Sequence, residues 1–428
     1  MTLERLTITP GARRPPRIAL FSGNYNYTLD GANKTLNRLV DHLQAQAGVE
    51  VRIYSPTSPQ PAFPPVGELI SVPSFRIPTR PDYRVALGLT PALQRDVEAF
   101  APDIIHVSSP DPLGAAALRL ARKLDAPVVA TVHTHFDGYL DYYALGWLKP
   151  LLQSRVRAFY SGCDYVLAPT QPIADQLQAE SAAADVRVWA RGVDAQLFNP
   201  ARRSEAWRRE QGFGDDSPVV VFMGRVVMEK GLAIFVDAVR RLEQVTGSAS
   251  VLVIGDGPAL PWFREQLPNA RFAGFLSGET LATAIASGDV FFNPSATETF
   301  GNVNLEAMAS GLPLVCADVP NSRTLVEHGR SGVLCRADDA QAFCDAILPL
   351  LSDPVRRVLM GREAHRQSGA YSWSQILDQI VGVYREAVST PRIGRRAHGA
   401  QRRLDTATPR FRESVYGALG TVVPVLGE

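Results

Sequence analysis

Short apolar runs alternate with helical stretches along most of the chain, and this alternation limits the possible folds more than any other feature. The apolar runs of the first half are 17–22, 49–54, 104–107, 128–132 and 165–168, with helical patterns at 32–45 and 113–124. Alternation of this kind predicts parallel strands that are joined by helices and form one sheet covered on both faces. The proline-rich stretch 56–81 interrupts the series, and we expect a surface loop there, with a border of an acceptor site as the alternative.

A second alternating series follows a polar, turn-rich stretch at 192–216. Its strand candidates are 219–223, 251–254, 290–292 and 314–316, and its helix candidates are 232–242, 258–267 and 303–310. Because 428 residues exceed the usual size of one hydrophobic core, the two series predict two lobes with a hinge between them. Two doubly wound α/β lobes would face a cleft at the carboxyl ends of both sheets, where ligands of such folds bind.

The composition excludes several classes of protein. With 46% apolar and 20% charged residues and no apolar run of 18 or more, the chain is expected to be a globular protein without an integral membrane segment. Residues 1–17 lack the apolar core of a signal peptide, which predicts a cytoplasmic location. A formal net charge of +1 argues against a general nucleic-acid binder. The four cysteines lack metal-binding spacing and are predicted to be buried, reduced thiols.

Two glutamates stand eight residues apart around a glycine in the segment Glu298-Thr-Phe-Gly-Asn-Val-Asn-Leu-Glu306. An apolar run precedes the segment and a helical pattern follows, so free amides and the helix dipole would favour an anion there. Phosphate alone calls for glycine and lysine, whereas carboxylates accept hydrogen bonds from hydroxyls. The segment therefore indicates a ligand that carries both phosphates and hydroxyls, such as a nucleotide sugar.

This segment resembles the paired-glutamate element of family 4 of the glycosyltransferases, which are retaining, nucleotide-sugar-dependent enzymes of the GT-B architecture. Other pieces agree with the family in order and spacing from about residue 17 to residue 388: Gly224-Arg225, Glu229-Lys230-Gly231, 254–258 and 309–313. The resemblance implies two Rossmann-like doubly wound domains that face a central cleft. It places an acceptor-binding domain at 1–195, a nucleotide-sugar-binding domain at 196–371, a helix at 372–388 that crosses back to the first domain, and a basic tail at 389–428.

The resemblance also assigns roles to charged residues of the second lobe. Arg225 and Lys230, next to Gly224, are expected to contact the donor diphosphate. Glu306 is expected to accept the ribose hydroxyls, and Glu298 to contact sugar hydroxyls near the reacting carbon. The chain has no Asp-x-Asp pair, so arginine, lysine and helix amides would do the work of a metal, and neither a metal nor a cofactor is expected.

Backbone groups complete the predicted donor site. The amides of Phe300, Gly301 and Asn302 are expected to hold sugar or phosphate oxygens. Gly31 matches one member of a glycine pair whose amides approach the diphosphate in the family, and Asp30 stands where the other glycine is usual.

Two further groups lie at strand ends. Gly255 and Gly257 follow a strand in a tight turn and are expected to shape the pocket for the base. His133 matches the family histidine near the donor sugar, so the predicted catalytic set is His133, Glu298, Arg225 and Lys230. His135 is an alternative partner, and the two histidines alone are a poor metal site because no third ligand follows at a suitable spacing.

The acceptor is expected in the first lobe, where the segment 139–155 combines aromatic residues, leucines and bases. Such a segment fits either a lipid interface or an ordinary amphipathic helix, and the tail at 392–428, with seven arginines and three acids, fits either anionic lipid or an unstructured end. The predicted activity is transfer of a hexosyl unit from a UDP- or GDP-sugar to a lipid or glycan of the cell envelope, at the cytoplasmic membrane face. A nucleotide-sugar epimerase of the same fold and a non-catalytic sugar-nucleotide sensor are the alternatives.

Overall fold

The computed structural model describes residues 14–28, 31–45, 48–77, 80–133, 149–180 and 184–390. The strands of the first half are β1 (Arg17–Phe21), β2 (Glu50–Ser55), β3 (Glu68–Ser71), β4 (Ser74–Ile77), β5 (Arg80–Ala86), β6 (Ile104–Val107), β7 (Val128–Thr131), β8 (Tyr165–Ala168) and β9 (Asp185–Val188). Within the described ranges, seven of them form a parallel sheet in the order β3-β2-β1-β6-β7-β8-β9.

The proline-rich stretch 56–81 is not the surface loop that its composition predicts. Strand β3 lies within it and extends the sheet by pairing in parallel with β2. Strands β4 and β5 then form an antiparallel hairpin outside this sheet. Prolines mark turns and edge strands rather than excluding strands altogether, and β3 is an edge strand with exposed ends.

The second half contains six more strands, β10 (Val219–Met223), β11 (Ser250–Ile254), β12 (Arg271–Gly274), β13 (Val290–Asn293), β14 (Leu314–Ala317) and β15 (Gly332–Cys335). They form a second parallel sheet in the order β12-β11-β10-β13-β14-β15. In both sheets the order reverses beside the first strand of the series, which is the doubly wound topology that the alternating pattern predicts.

Helices connect these strands. In the described residues they are α1 (Gly31–Ala45), α2 (Pro91–Phe100), α3 (Pro112–Leu124), α4 (Lys149–Ser161), α5 (Gln171–Glu180), α6 (Glu205–Glu210), α7 (Leu232–Thr246), α8 (Leu260–Gln266), α9 (Gly278–Ala286), α10 (Asn302–Ala309), α11 (Pro320–Leu325), α12 (Ala340–Ser352), α13 (Pro354–Ser368) and α14 (Trp373–Ser389). None of the helices in this part of the chain is long and apolar enough to cross a membrane.

Each sheet has a hydrophobic core on both faces, because side chains of a strand point alternately to opposite sides. In β1, Ala19 and Phe21 contribute to the core on one face, whereas Ile18 and Leu20 contribute to the core on the other. The second sheet is covered in the same way. All four cysteines are buried and free, as predicted.

The last helix of the described chain, α14, belongs to the core of the first sheet although it follows the second sheet in sequence. Its residues Ile376, Ile380 and Tyr384 pack in the same core as Leu20 of β1. The indole of Trp189, just after β9, donates a hydrogen bond to the carbonyl of Ile376 at 2.9 Å. The described chain therefore returns to the first lobe, whereas the domain boundaries at residues 195 and 371 stay predictions.

Candidate active site

The carboxyl ends of strands from both sheets lie at one cleft. Thr170 follows β8 of the first sheet, and Asn321 lies in the first turn of α11 just after β14 of the second. The Thr170 hydroxyl donates a hydrogen bond to Asn321 Oδ1 at 2.9 Å, and the Asn321 amide donates to the carbonyl of Glu298. These contacts join the two lobes where the predicted donor site begins.

Two helix N-termini, one from each lobe, converge in this cleft. Gly31 is the first residue of α1 and Asn302 is the first residue of α10. A Cβ atom added at Gly31 would overlap the side-chain amide of Asn302, so a larger residue here requires that amide to move. Free amides and the positive ends of two helix dipoles thus point to one place, which favours a ligand with several negative charges.

The turn before α10 is shaped for backbone contacts. Gly301 has a φ of 92°, in the left-handed region that side chains disfavour, and it caps the helix. The Phe300 ring is buried and stacks edge-on against Tyr371 at 6.0 Å, so its side chain anchors the turn rather than facing a ligand. Asn302 Oδ1 is buried and receives no hydrogen bond from the described part of the chain. This oxygen is placed to accept one from a ligand hydroxyl.

Arg225 and Lys230, predicted to contact the diphosphate, and Glu298, predicted to contact the sugar, follow the neighbouring strands β10 and β13. Lys230 Nζ and Glu298 Oε1 form an ion pair at 2.7 Å, and both side chains are partly buried. Arg225 follows β10, is exposed, and its guanidinium contacts no acid or carbonyl within the described ranges. Glu298 offsets the charge of Lys230. Among the described residues, the positive charge that has no acidic partner at these strand ends therefore comes from Arg225 and from the helix N-termini.

Three of the predicted donor-site glycines hold two loops together. Gly224 lies in the turn after β10 with a φ of 152°, which side chains disfavour. Its carbonyl oxygen would clash with a Cβ atom at Gly255. The carbonyl of Val226 would clash in the same way at Gly257, and it accepts a hydrogen bond from the amide of Ala259 at 3.1 Å. The close packing of these backbones fixes the loop that carries Arg225.

Glu306 lies in the second turn of α10, at the wall of the cleft. Burial raises the pKa of this carboxyl to about 7, and the nearby positive charge of Lys34 on α1 opposes the shift. The residue is therefore divided between its neutral and ionised forms near neutral pH, unlike an ordinary glutamate.

His133 follows β7, and both of its ring nitrogens are bonded to the protein. Arg191, just after β9, donates to Nδ1 at 3.1 Å, and Nε2 lies 2.9 Å from the hydroxyl of Thr131. Burial, the charge of Arg191 and the neighbouring His106 lower the pKa of His133 well below its usual value, so its ring is neutral. The sequence did not point to Arg191 or Asn321 as parts of the site, although both stand at strand ends that face the cleft.

Several predicted features lie outside the described residues. They are Asp30, His135, residues 139–148 of the predicted acceptor segment, and the basic tail. In the described ranges, no three His, Cys, Asp or Glu side chains are grouped in a way that could hold a metal ion.

Comparison with known proteins identifies the family of this chain. Residues 29–197 match the model for Glycosyltransferase Family 4, and residues 217–353 match the model for Glycosyl transferases group 1. The chain is 32% identical over 380 residues to sulfoquinovosyl transferase SQD2 of Arabidopsis thaliana, covering 86% of this chain and 73% of that protein. It is 32% identical over 388 residues to a GDP-mannose-dependent alpha-mannosyltransferase of Mycolicibacterium smegmatis, covering 89% of this chain and 99% of that protein.

The fold agrees as well. Sucrose-phosphate synthase from Thermosynechococcus elongatus superimposes with a TM-score of 0.70 at 21% identity, covering 87% of this chain and 98% of that one. Two parallel-sheet lobes facing a cleft define the GT-B class of enzymes. The chain belongs to glycosyltransferase family 4 and is a glycosyltransferase.

Proposed function

We propose that this protein is a retaining glycosyltransferase that moves a hexosyl unit from a nucleoside diphosphate sugar to a lipid or glycan acceptor without a metal ion. The observation that carries the proposal is the convergence of two helix N-termini, at Gly31 and Asn302, together with the Lys230–Glu298 ion pair. Arg225 belongs to the same loop after β10 as Lys230. A diphosphate is the part of the donor that needs such a concentration of positive charge.

Departure of the diphosphate is the step that these groups assist. As the bond between the sugar carbon and the phosphate oxygen breaks, negative charge grows on the leaving group. Arg225 has no competing acid, and Lys230 is held in place by Glu298 until a stronger anion arrives. Preorganised cations and amides of this kind need no rearrangement during the reaction, and they take the role that a metal has in other transferases.

The sugar end of the donor meets Glu298 and His133. An ionised Glu298 accepts hydroxyl hydrogen bonds and favours positive character on the ring, while Asn302 Oδ1 offers a further acceptor. In the proposed reaction the acceptor oxygen bonds to the anomeric carbon on the face that the diphosphate leaves, and its proton passes to the departing phosphate oxygen. No carboxylate is proposed as a covalent nucleophile.

The donor and acceptor classes follow from relatives. A mannosyltransferase that is GDP-mannose-dependent by name shares 32% identity over nearly its whole length, which makes GDP sugars the first donors to test and UDP sugars the second. A lipid or glycan acceptor of the cell envelope, reached from the cytoplasmic membrane face, belongs to the same proposal.

The first test measures thermal stabilisation by UDP, GDP and ADP in the presence of EDTA. A nucleotide at a hundredfold its dissociation constant stabilises the protein by about 2.7 kcal/mol. We expect one nucleotide to raise the unfolding temperature, Arg225→Gln to abolish the rise, and the control Arg336→Gln, in an exposed loop, to keep it. If stabilisation depends on added divalent metal, or persists in Arg225→Gln, the proposed metal-independent binding of the diphosphate at Arg225 is wrong.

A second test examines the product. The matching sugar nucleotide is incubated with lipid and glycan acceptors in EDTA, and the configuration of the new bond is read by NMR. Retention of the donor's configuration is expected. An inverted product, or conversion of the donor sugar without any acceptor, contradicts the proposal.

A further inference from the structure

A chain of five polar side chains runs from the cleft into the core beneath α14. Arg191 contacts His133 Nδ1 at 3.1 Å, and His133 Nε2 lies 2.9 Å from the hydroxyl of Thr131. The same hydroxyl lies 3.0 Å from His106 Nε2, and His106 Nδ1 contacts the phenol oxygen of Tyr384. These five side chains therefore connect the site histidine to helix α14, which lies about 250 residues further along the sequence.

The guanidinium of Arg191 fixes the direction of the hydrogen bonds at the His133 end of this network. A guanidinium only donates, so His133 Nδ1 accepts from Arg191 and the single proton of the neutral ring is on Nε2. His133 Nε2–H then donates to the Thr131 hydroxyl oxygen, which also lies 3.0 Å from His106 Nε2. Either tautomer of His106 completes the network, because the hydroxyls of Thr131 and Tyr384 can each donate or accept.

Burial protects this arrangement from water. Thr131, His106 and Tyr384 are almost fully buried, and burial lowers the pKa of His106 to about 3. A second proton on His133 would place a further charge in the core and set two donors, Nδ1–H and the Arg191 guanidinium, against each other.

Arg191 itself is 5% exposed and has unusual partners for a buried cation. Its guanidinium donates to the carbonyls of Trp189 and Val132, each at 3.2 Å, and lies over the Trp189 ring at 5.1 Å. No carboxylate in the described residues pairs with it, and burial lowers the pKa of Arg191 to about 10. Among the described residues nothing neutralises its charge, which acts on His133.

We propose that Arg191, Thr131, His106 and Tyr384 are positioning residues that hold His133 as the neutral Nε2–H tautomer with a fixed ring orientation. The inference rests on the proposed function for its consequence, because His133 is the predicted neighbour of the donor sugar. With both nitrogens bonded to the protein, the ring presents its carbon edge to the donor and takes no proton during transfer.

The first experiment reads the tautomer directly by NMR of protein labelled with ¹⁵N-histidine, with His133→Gln to assign the signal. The wild-type ring is expected to be neutral and protonated on Nε2 from pH 6 to 8. In Arg191→Met the fixed donor is lost, so the Nε2–H fraction falls, while Arg191→Lys, which also only donates, retains more of it. A wild-type ring protonated on Nδ1, or an unchanged tautomer in Arg191→Met, overturns the proposal.

The second experiment follows turnover against pH. In the part of the chain that the structure describes, the titratable and charged groups that face His133 are Arg191, His106 and, behind it, Tyr384. Burial lowers the pKa of His133 most and remains in the variant, whereas the contribution from the charge of Arg191 is removed. The pKa of His133 therefore rises by part of its shift, and Arg191→Met is expected to lose turnover at a higher pH than the wild type. Coincident pH profiles for the two proteins contradict the proposal.

A variant pair at Thr131 keeps the test independent of Arg191. Thr131→Val keeps the shape but removes the hydroxyl, and turnover is expected to fall about tenfold to a hundredfold with the Michaelis constant for the donor little changed. Thr131→Ser restores the hydroxyl and recovers most of that loss. Equal activities of the two variants would contradict a positioning role for the Thr131 hydroxyl. The NMR measurement needs no substrate, so a wild-type protein that transfers no sugar refutes the proposed function alone.

Discussion

At the scale of single residues, the ion pair between Lys230 and Glu298 gives both side chains a second role. The carboxylate keeps the lysine at the strand end, but it also adds a negative charge beside the proposed diphosphate. The charge of Glu298 therefore weakens binding of a diphosphate, whereas it favours the positive character that develops on the sugar ring. Separate measurements of binding and turnover can tell these two effects apart.

Glu298→Gln is expected to bind the nucleoside diphosphate product several-fold more tightly and to turn over about tenfold to a hundredfold more slowly, because a charge that repels phosphate and assists the sugar is lost. Lys230→Met is expected to weaken nucleotide binding about tenfold to a hundredfold, since Glu298 then faces the phosphates unpaired. Calorimetry and steady-state kinetics give both quantities. Weaker nucleotide binding in Glu298→Gln would show that its charge does not face the phosphates.

The raised pKa of Glu306 predicts a pH-dependent affinity. Burial holds the pKa near 7 in the free protein, and hydroxyls that donate to the carboxylate favour its ionised form, so binding below pH 7 must release a proton. Affinity for the sugar nucleotide is expected to fall about tenfold between pH 8 and pH 6. Sugar nucleotides are the right probe because their phosphates, unlike a terminal phosphate with a pKa of about 6, do not titrate in this range.

Glu306→Gln serves as the control for this pH dependence. It removes the titrating group while keeping the size of the side chain, so its affinity for the same ligand should vary little from pH 6 to 8. If the variant shows the slope of the wild type, another group is responsible for it.

At the scale of elements, the convergence of α1 and α10 depends on the missing side chain at Gly31. Alanine there would displace the amide of Asn302 from the cleft. Gly31→Ala is expected to weaken donor binding about tenfold, the effect of losing one or two hydrogen bonds, while the unfolding temperature changes little. Donor titration and thermal unfolding measure the two effects.

Gly382 in α14 is the matched control for Gly31. A methyl group at Gly382 meets no atom within 4 Å, so Gly382→Ala should leave donor binding unchanged and stabilise the protein by up to about 1 kcal/mol through helix propensity. Equal donor affinity in the Gly31 and Gly382 variants would contradict binding of the donor between the N-termini of α1 and α10.

The sequence predicted the central strands better than the outer ones. The apolar runs at β1, β6, β10 and β13 were recognised because a strand buried on both faces is apolar throughout. The strands that escaped prediction include all four sheet edges, β3, β9, β12 and β15. An edge strand is partly solvated, and β9 and β12 carry charged residues that make them resemble loops.

At the scale of the whole molecule, the side chain of Asn321 contacts both lobes near the predicted donor site. Asn321 Oδ1 accepts a hydrogen bond from the Thr170 hydroxyl of the first lobe, and the Asn321 amide donates one to the carbonyl of Glu298 in the second lobe. A contact of this kind makes the arrangement of the lobes sensitive to the loop that carries the proposed catalytic glutamate. Transfer needs acceptor and donor groups together, so the contact is expected to matter for turnover.

Thr170→Val removes the hydroxyl that crosses between the lobes. A net loss of about 1 kcal/mol lowers the population of joined lobes about fivefold, and the specificity constant for the donor is expected to fall by a similar factor. Thr324→Val is the control, since the Thr324 hydroxyl bonds only within α11 to the carbonyl of Pro320. Kinetics and small-angle scattering with bound nucleotide test this, and an equal loss in both variants would contradict a role for the contact between lobes.

The sequence by itself determined the two alternating series, the doubly wound sheets and the family, because strand and helix periodicity and the glutamate motif are local patterns. It also named Gly31, which the structure brings against Asn302, and Lys230 and Glu298, which form an ion pair.

Only the tertiary structure decided which of these residues touch and in what charge state. The Lys230–Glu298 pair, the neutral His133 held by Arg191, and the raised pKa of Glu306 depend on burial and on partners from 58 to 68 residues away or from the other lobe. A hydrogen bond or a desolvation cost is set by distances in space, and the linear pattern of a chain does not contain them.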